Sequence, residues 1–377
     1  MDLEEILNCK STNIPETSIQ DLLSSGKKLA IFGCGQGLKT FEIFVLNKFD
    51  IKVDLYIDQN FRSDDQLNGI RAVNSENLMD VNTSEYNVIV TISHGLFKGV
   101  EQQLSGYSFA SITSAFDYFE YHLAYVDRQL AYTIQNEICK YADDIRTAYS
   151  LLHDDLSKLI FKQILGIYRT GKINPVACRP LTEQYLSTDV NLQKGFSKTI
   201  NCGAFDGDTV KNISSLHGKF EFLTCIEPDL ENFIRLSKWL YSNGVCENLA
   251  DEICLYPVAI GSETKHIRID CAGTNSHINS KTSHTNAICV KLDDIIFRGD
   301  ITFINMDIEG CELEAIKGSK RIIIKSKPDL AISIYHRPSD LWDIVLELHK
   351  ICPGYRFAIR NYSGYPAETV LYATWTD

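Results

Sequence analysis

Asp307, Glu309 and Glu312 fall within six residues, directly after the apolar run Ile301–Met306. His336 follows the next apolar run, Leu330–Tyr335. An acid at the end of so apolar a segment is costly to bury without a partner or a task. Carboxylates and an imidazole in one place can do two things. His336 or Asp307 can take a proton from a bound hydroxyl, imidazole being the usual base near neutral pH. Alternatively, Asp307, Glu309 and His336 can hold a divalent cation that polarises the hydroxyl; oxygen-rich ligands suit magnesium or manganese. Spacing leaves both open, and Glu309 and Glu312 also suit the dipole of a starting helix.

A second constellation binds rather than reacts. In Ile200-Asn201-Cys202-Gly203-Ala204-Phe205-Asp206-Gly207-Asp208-Thr209 a strand ends, one glycine allows close backbone approach and another opens a helix. Backbone N–H groups at such a turn can face a ligand. Phe222–Ile226 is a second apolar strand, and Glu227 ends it 24 residues beyond Gly203. In doubly wound folds an acid there accepts hydrogen bonds from ribose hydroxyls. Turn and acid together point to a nucleoside-bearing ligand. Taken alone, Glu227 before Pro228-Asp229 is a helix-start acid.

These residues need a parallel sheet to place them. From 196 to 377, strands are expected at Lys198–Cys202, Phe222–Ile226, Ile253–Ile260, Ile301–Met306, Leu330–Tyr335 and Thr369–Thr374, with helices between most of them. Residues 1–114 repeat the alternation on a smaller scale. There Leu29–Phe32 stops at Gly33, Ile51–Ile57 at Asp58 and Val88–Ile92 at Ser93, with Leu38, Phe41, Phe44 and Val45 on one helical face. Residues 115–195 read as a helical connector. Ile134, Ile138, Tyr141, Ile145, Ala148 and Leu152 form the apolar stripe of one long helix. Asp154 or Asp155 caps a second, with Leu156, Ile160, Ile164 and Ile167 inward. Gly171, Pro175 and Pro180 break the pattern. The expected fold class is α/β, with a smaller Rossmann-like domain before a larger one.

The Gly203 turn, Glu227-Pro228, Leu292-Asp293-Asp294 and above all Phe303-Ile304-Asn305-Met306-Asp307-Ile308-Glu309-Gly310-Cys311-Glu312 resemble, in that order, the FkbM-type methyltransferases. Lys327-Pro328, Ile332-Ser333-Ile334-Tyr335-His336 and Glu368-Thr369-Val370-Leu371-Tyr372 continue the resemblance, which covers about 196–375. It implies a class I methyltransferase fold, a seven-stranded, mostly parallel sheet with an antiparallel last strand. It implies S-adenosylmethionine as methyl donor and O-methylation, often of sugars in surface polysaccharides or of natural products. Donor contacts are implied for Asn201, Gly203, Ala204, Phe205, Asp206, Glu227, Pro228 and Asp307. Ala259 would lie beside the adenine through its backbone. Asn275 and Ser276 would lie in a loop near the donor, or be plain turn residues. The family usually carries an acid where this chain has Asn201; an amide keeps a hydrogen bond but not the attraction to the donor's amino group. Asp307, Glu309 and His336 are the catalytic candidates.

In the N-terminal domain Gly33-Cys34-Gly35-Gln36-Gly37 and Asp58 mimic a dinucleotide fingerprint by spacing, although Lys39 stands where a small residue is expected. Together with Tyr56-Ile57-Asp58-Gln59-Asn60 and Asn68-Gly69-Ile70 they resemble Rossmann-type domains attached to sugar-modifying enzymes. That leaves a scaffold or a binder of a nucleotide-linked sugar.

Composition sets the outer limits. The 377 residues carry a net charge of -12, which repels phosphate backbones and argues against nucleic-acid partners. Twelve cysteines without C-x-x-C or metal-finger spacing read as thiols in a reducing cytoplasm. No apolar stretch approaches the ~20 residues of a membrane span, and the polar start, Met1 to Lys10, is no signal peptide. The expected protein is a cytoplasmic O-methyltransferase acting on a carbohydrate or other small molecule, with the Ile134–Leu152 stripe available for a homo-oligomer interface. Two alternatives are a nicotinamide-dependent oxidoreductase built on the N-terminal domain and a non-enzymatic nucleotide-sugar-binding module.

Overall fold

The computed structural model describes residues 2–8, 18–47, 49–62, 65–92, 96–118, 138–170, 175–242, 245–270, 277–278 and 285–375. The chain divides into two compact units. Unit 1 comprises 1–140, 162–176 and 363–365; unit 2 comprises 141–161, 177–362 and 366–377.

Unit 1 is built on one sheet. Its strands are β1 (Lys28–Phe32), β2 (Leu55–Asp58), β3 (Gln66–Leu67), β4 (Ile70–Asn74), β5 (Tyr86–Val90) and β6 (Ser111–Ser114), in the order β3-β4-β2-β1-β5-β6. All pairs are parallel except β3 with β4. The second strand starts later than Ile51. The Asp54 carboxylate accepts the Leu29 N–H at 2.9 Å, so a side chain replaces a ladder bond there. At the end of β1, Gly33 has φ +92° and donates to Ile57 O at 2.9 Å. Asp58 then clasps the turn, accepting from Cys34 N at 2.7 Å and from Asn60 N at 3.0 Å. Gly37 must be glycine for packing, because a Cβ there would sit 1.7 Å from Thr91 O. Ser93 lies outside the described residues.

Unit 2 holds a seven-stranded sheet. Its strands are β7 (Lys198–Cys202), β8 (Phe220–Ile226), β9 (Ala250–Tyr256), β14 (Phe303–Met306), β15 (Asp329–Ser333), β16 (Tyr355–Asn361) and β17 (Thr369–Trp375), in the order β16-β17-β15-β14-β7-β8-β9. Only β17 runs antiparallel to its neighbours. This is the mostly parallel sheet with an antiparallel last strand that the resemblance implies. Every residue of β14 and β15 is buried, as strands covered on both faces require. A second sheet of β10 (Ala259–Ile260), β11 (Lys265–Asp270), β12 (His277–Ile278) and β13 (Thr285–Val290) lies between β9 and β14 in sequence.

Three sequence expectations change. Ile253–Ile260 is not one strand: Pro257 cannot donate to a ladder, so β9 stops at Tyr256 and β10 pairs with β13 instead. Strand β16 was not expected, because Arg356 and Arg360 interrupt its apolar pattern. Arg360 is nonetheless buried, held by Asp189 at 3.0 Å and Asp154 at 3.2 Å. The long connector helix is broken: a 3-10 turn, Ile138–Tyr141, precedes the helix Ala142–Leu151, and Ile134 lies outside the described residues. The following helix, Asp155–Thr170, is capped by Asp154, whose carboxylate accepts from Ser157 N at 2.8 Å. Ile160, Ile164 and Ile167 are buried as its periodicity predicts.

Candidate functional site

The sheet order of unit 2 reverses between β7 and β14, the place where open α/β sheets bind ligands at their carboxyl edge. Gly203 leaves β7 with φ +80°, and a Cβ on it would lie 1.8 Å from Asp307 O. Only glycine lets the turn after β7 and the residue after β14 pack so closely. Gly203 N and Ala204 N both donate to Ile226 O, at 2.9 and 3.0 Å. Phe205, at φ +46°, donates its N–H to Glu227 Oε2 at 2.9 Å, while Glu227 Oε1 accepts from Asp229 N at 2.9 Å. The turn is therefore clasped by the strand-end acid. Its first three N–H groups are taken up within the protein, two by Ile226 O and one by Glu227, where the sequence suggested that they face a ligand. Asp229 then caps the helix Leu230–Leu240.

A cavity of about 430 Å³, within the usual range for small-molecule sites, opens beside this turn. Gly203, Phe205, Glu227, Pro228 and Ala259 line one side and Asp307 and Glu309 the other, so seven sequence candidates share one space. Three of the donor-contact candidates do not reach it. Asn201 is fully buried, opposite Asn305 in the β7–β14 register, and its amide has no hydrogen-bond partner. Ala204 is buried beneath the turn. Asp206 faces Lys211, with Nζ 3.6 Å from Oδ1. Asn275 and Ser276 lie outside the described residues.

The acidic side is a single network. Glu309 and Gly310 both take left-handed backbone, at φ +56° and +91°. For a non-glycine residue this is strain that the surrounding packing must hold. Glu312, fully buried, accepts from Ile308 N at 2.9 Å and from His336 Nδ1 at 3.0 Å through the same oxygen. His336 Nε2 faces Asp307 Oδ1 at 3.4 Å and Glu309 Oε2 at 3.5 Å. Tyr185 Oη donates to Asp307 Oδ2 at 2.5 Å. His336 does not itself line the cavity; Tyr335, beside it, does.

Burial alone would keep His336 neutral, but the Glu312 hydrogen bond and the charges of Glu312, Asp307 and Glu309 outweigh it and raise the imidazole to about 9. Burial raises Glu309 to about 7 and lifts Asp307 too, against the pull of His336 and Tyr185. An imidazole held charged donates and cannot accept. Asp307 and Glu309 face His336 Nε2 with carboxylate oxygens and can accept from it when it is charged.

Residues 201–358 match the Methyltransferase FkbM domain. The chain carries an FkbM methyltransferase domain. The protein is accordingly an S-adenosylmethionine-dependent methyltransferase, and its seven-stranded unit has the class I fold. Among solved structures, the methyltransferase FkbM from Methylobacillus flagellatus KT is similar over 98% of this chain and 96% of its own, at 22% identity and a TM-score of 0.66. That likeness extends the shared fold beyond the FkbM domain. Fibrillarin from Aeropyrum pernix, in complex with S-adenosyl-L-methionine, aligns over 51% of this chain and 73% of its own, at 9% identity and a TM-score of 0.33. A methyltransferase from Geobacter sulfurreducens aligns over 67% and 94%, at 13% identity and a TM-score of 0.31. Scores that low carry no argument about this chain. No curated protein matches it in sequence.

Part of the cavity wall lies outside the matched FkbM span. Leu181, Gln184 and Tyr185 precede it and Glu368 follows it. Gln184 Nε2 donates to Glu368 Oε2 at 2.6 Å. Sequence reading treated 181–185 as connector, and nothing in its pattern marks Tyr185, whose backbone is also left-handed at φ +64°. Among the described residues no helix is long and apolar enough to cross a membrane.

Proposed function

We propose that the protein transfers the methyl group of S-adenosylmethionine to a hydroxyl oxygen of a carbohydrate, such as a sugar or surface-polysaccharide precursor. The observation that carries this reading is the shared cavity: the donor-type turn at Gly203 and the acids at Asp307 and Glu309 line one space and touch through Gly203 itself. Gly203, Phe205, Glu227, Pro228 and Ala259 hold the donor, over a turn beneath which Asn201 and Ala204 are buried. The Glu227 carboxylate accepts the N–H groups of Phe205 and Asp229 and a hydrogen bond from the Asn232 side chain, and of its four lone-pair sites one is left for a ribose hydroxyl. The donor supplies an electrophilic methyl on sulfur. The sulfur–carbon bond breaks as the oxygen–carbon bond forms, and the hydroxyl proton passes to a carboxylate, Glu309 or Asp307. Gln184, Tyr185, Tyr335 and Glu368 give the acceptor side a wall of hydrogen-bonding groups suited to a polyhydroxylated molecule. The two carboxylates and the imidazole also have the donor chemistry to hold a divalent cation, magnesium or manganese, that would polarise the hydroxyl.

Calorimetric titration with S-adenosylhomocysteine tests the donor site. Saturable binding to the wild type is expected. Glu227→Ala removes charged acceptors as well as the clasp, worth about 3 kcal/mol, so affinity should fall roughly 100-fold. A wild-type protein that binds no S-adenosylhomocysteine would overturn the assignment.

A further inference from the structure

We infer that Asn232 is a positioning residue of the donor site: held by Arg235 on one side, its amide fixes the Glu227 carboxylate for a ribose hydroxyl on the other. The inference rests on the donor reading above and adds to it how the acid is aimed.

Asn232 stands on the buried stripe of the helix Leu230–Leu240, with Leu236 and Leu240 at the next two four-residue steps. An amide in such a stripe is costly unless its polar atoms are bonded. Asn232 is 2% exposed, yet it lines the cavity together with Phe205 and Glu227. Its backbone already serves the helix cap, Asn232 N donating to Asp229 Oδ1 at 3.2 Å. The side chain is therefore not needed to start the helix.

That side chain joins two groups of fixed polarity. Arg235 carries only donors, and its guanidinium donates to Asn232 Oδ1. The ionised Glu227 carboxylate carries only acceptors, and the Asn232 side chain bonds to it. One orientation of the amide satisfies both, with oxygen to Arg235 and Nδ2 to Glu227. The circuit closes through Phe205. The Arg235 guanidinium lies 5.5 Å from the centre of the Phe205 ring, and Phe205 N donates to Glu227 Oε2 at 2.9 Å. Two cavity-lining residues from different loops, Phe205 and Glu227, are thus tied to each other and to one helix.

Aim matters for this acid because it is crowded. Phe205, Asp229 and Asn232 take three of its four lone-pair sites and together fix the direction of the fourth. Burial lifts the Glu227 carboxyl above its ordinary value, and the Asp229 and Phe205 N–H groups and the Asn232 side chain act against that lift. The Asn232 bond therefore also favours the acceptor-only form that a hydroxyl donor needs.

The test titrates the full-length chain calorimetrically with S-adenosylhomocysteine and with its 2′-deoxy and 3′-deoxy ribose analogues. Asn232→Leu removes the amide at similar volume in an apolar stripe. It should weaken S-adenosylhomocysteine binding about 10- to 100-fold, the usual effect of deleting a donor to a charged group. For the analogue that lacks the hydroxyl Glu227 accepts, wild type and variant should agree within about 2-fold, because no contact is left for the amide to set up. Arg235→Ala, at an exposed position, frees the amide to turn and should cost about 3- to 10-fold in the same hydroxyl-dependent way. Unchanged S-adenosylhomocysteine affinity in Asn232→Leu overturns the inference, as does an equal loss for all three ligands. If Asn232→Leu does not fold, Arg235→Ala decides on the same two criteria. A wild type that binds no S-adenosylhomocysteine overturns the donor reading and this inference with it, an outcome distinct from binding that ignores Asn232.

Discussion

Gly203→Ala should destabilise unit 2 by about 2–5 kcal/mol and remove S-adenosylhomocysteine binding. Two costs add. An alanine held at φ +80° is strained by about 1–2 kcal/mol. Its Cβ would also lie 1.8 Å from Asp307 O, and because that atom is backbone it can yield only if the β7 and β14 ends move apart. Overpacking of this kind typically costs about 1–3 kcal/mol, and here it strikes both halves of the cavity at once. Gly218→Ala is the control. Its φ is +86°, yet no atom lies within 4 Å of the Cβ position, so it should lose only the strain. Urea unfolding of both variants separates the two costs. Equal losses would show that the contact with Asp307 is not what requires the glycine.

In protein stripped of divalent ions, the stabilisation contributed by His336 should vanish as pH rises. Its folded value is raised to about 9 from an ordinary value of 6.5. The contribution is therefore complete below pH 6.5 and is lost as pH climbs through 9, worth on the order of 3 kcal/mol for a side chain that is only 9% exposed. Glu309 works in the same direction. Its folded value, raised to about 7 by burial, favours the folded state below about pH 4.5, and that gain is lost as pH rises through 7. The measurement is unfolding of wild type and His336→Gln at intervals from pH 6 to pH 9.5. Their difference should shrink across that range; a difference independent of pH would mean that the imidazole is not held charged.

The legible part of the sequence was the part written in strongly apolar strands. β7 and β14 end where their apolar runs end, and β15 stops at Ser333, two residues short of its run, so the pattern places Gly203 and Asp307 at one sheet edge with His336 just beyond it. Tyr185 was not legible, because its role depends on a left-handed backbone in a connector that carries no periodicity. His336 was legible as a participant but not in its role. The sequence shows a histidine near three acids, whereas only the geometry shows that Glu312 takes one nitrogen and that the acids keep the ring charged. Strand β16 was hidden by Arg360, whose charge is answered by Asp154 and Asp189, more than 170 residues away in sequence.

The clasp on the Gly203 turn has a bearing on how fast a donor is captured. Glu227 closes the turn with N–H groups of Phe205 and Asp229, which belong to the protein itself. The loop's shape is thus set in advance, and little ordering entropy is left to be lost on association. Capture then becomes a matter of diffusion and desolvation rather than of loop closure. The Phe205 and Asp229 amides should accordingly exchange their hydrogens slowly whether or not S-adenosylhomocysteine is bound.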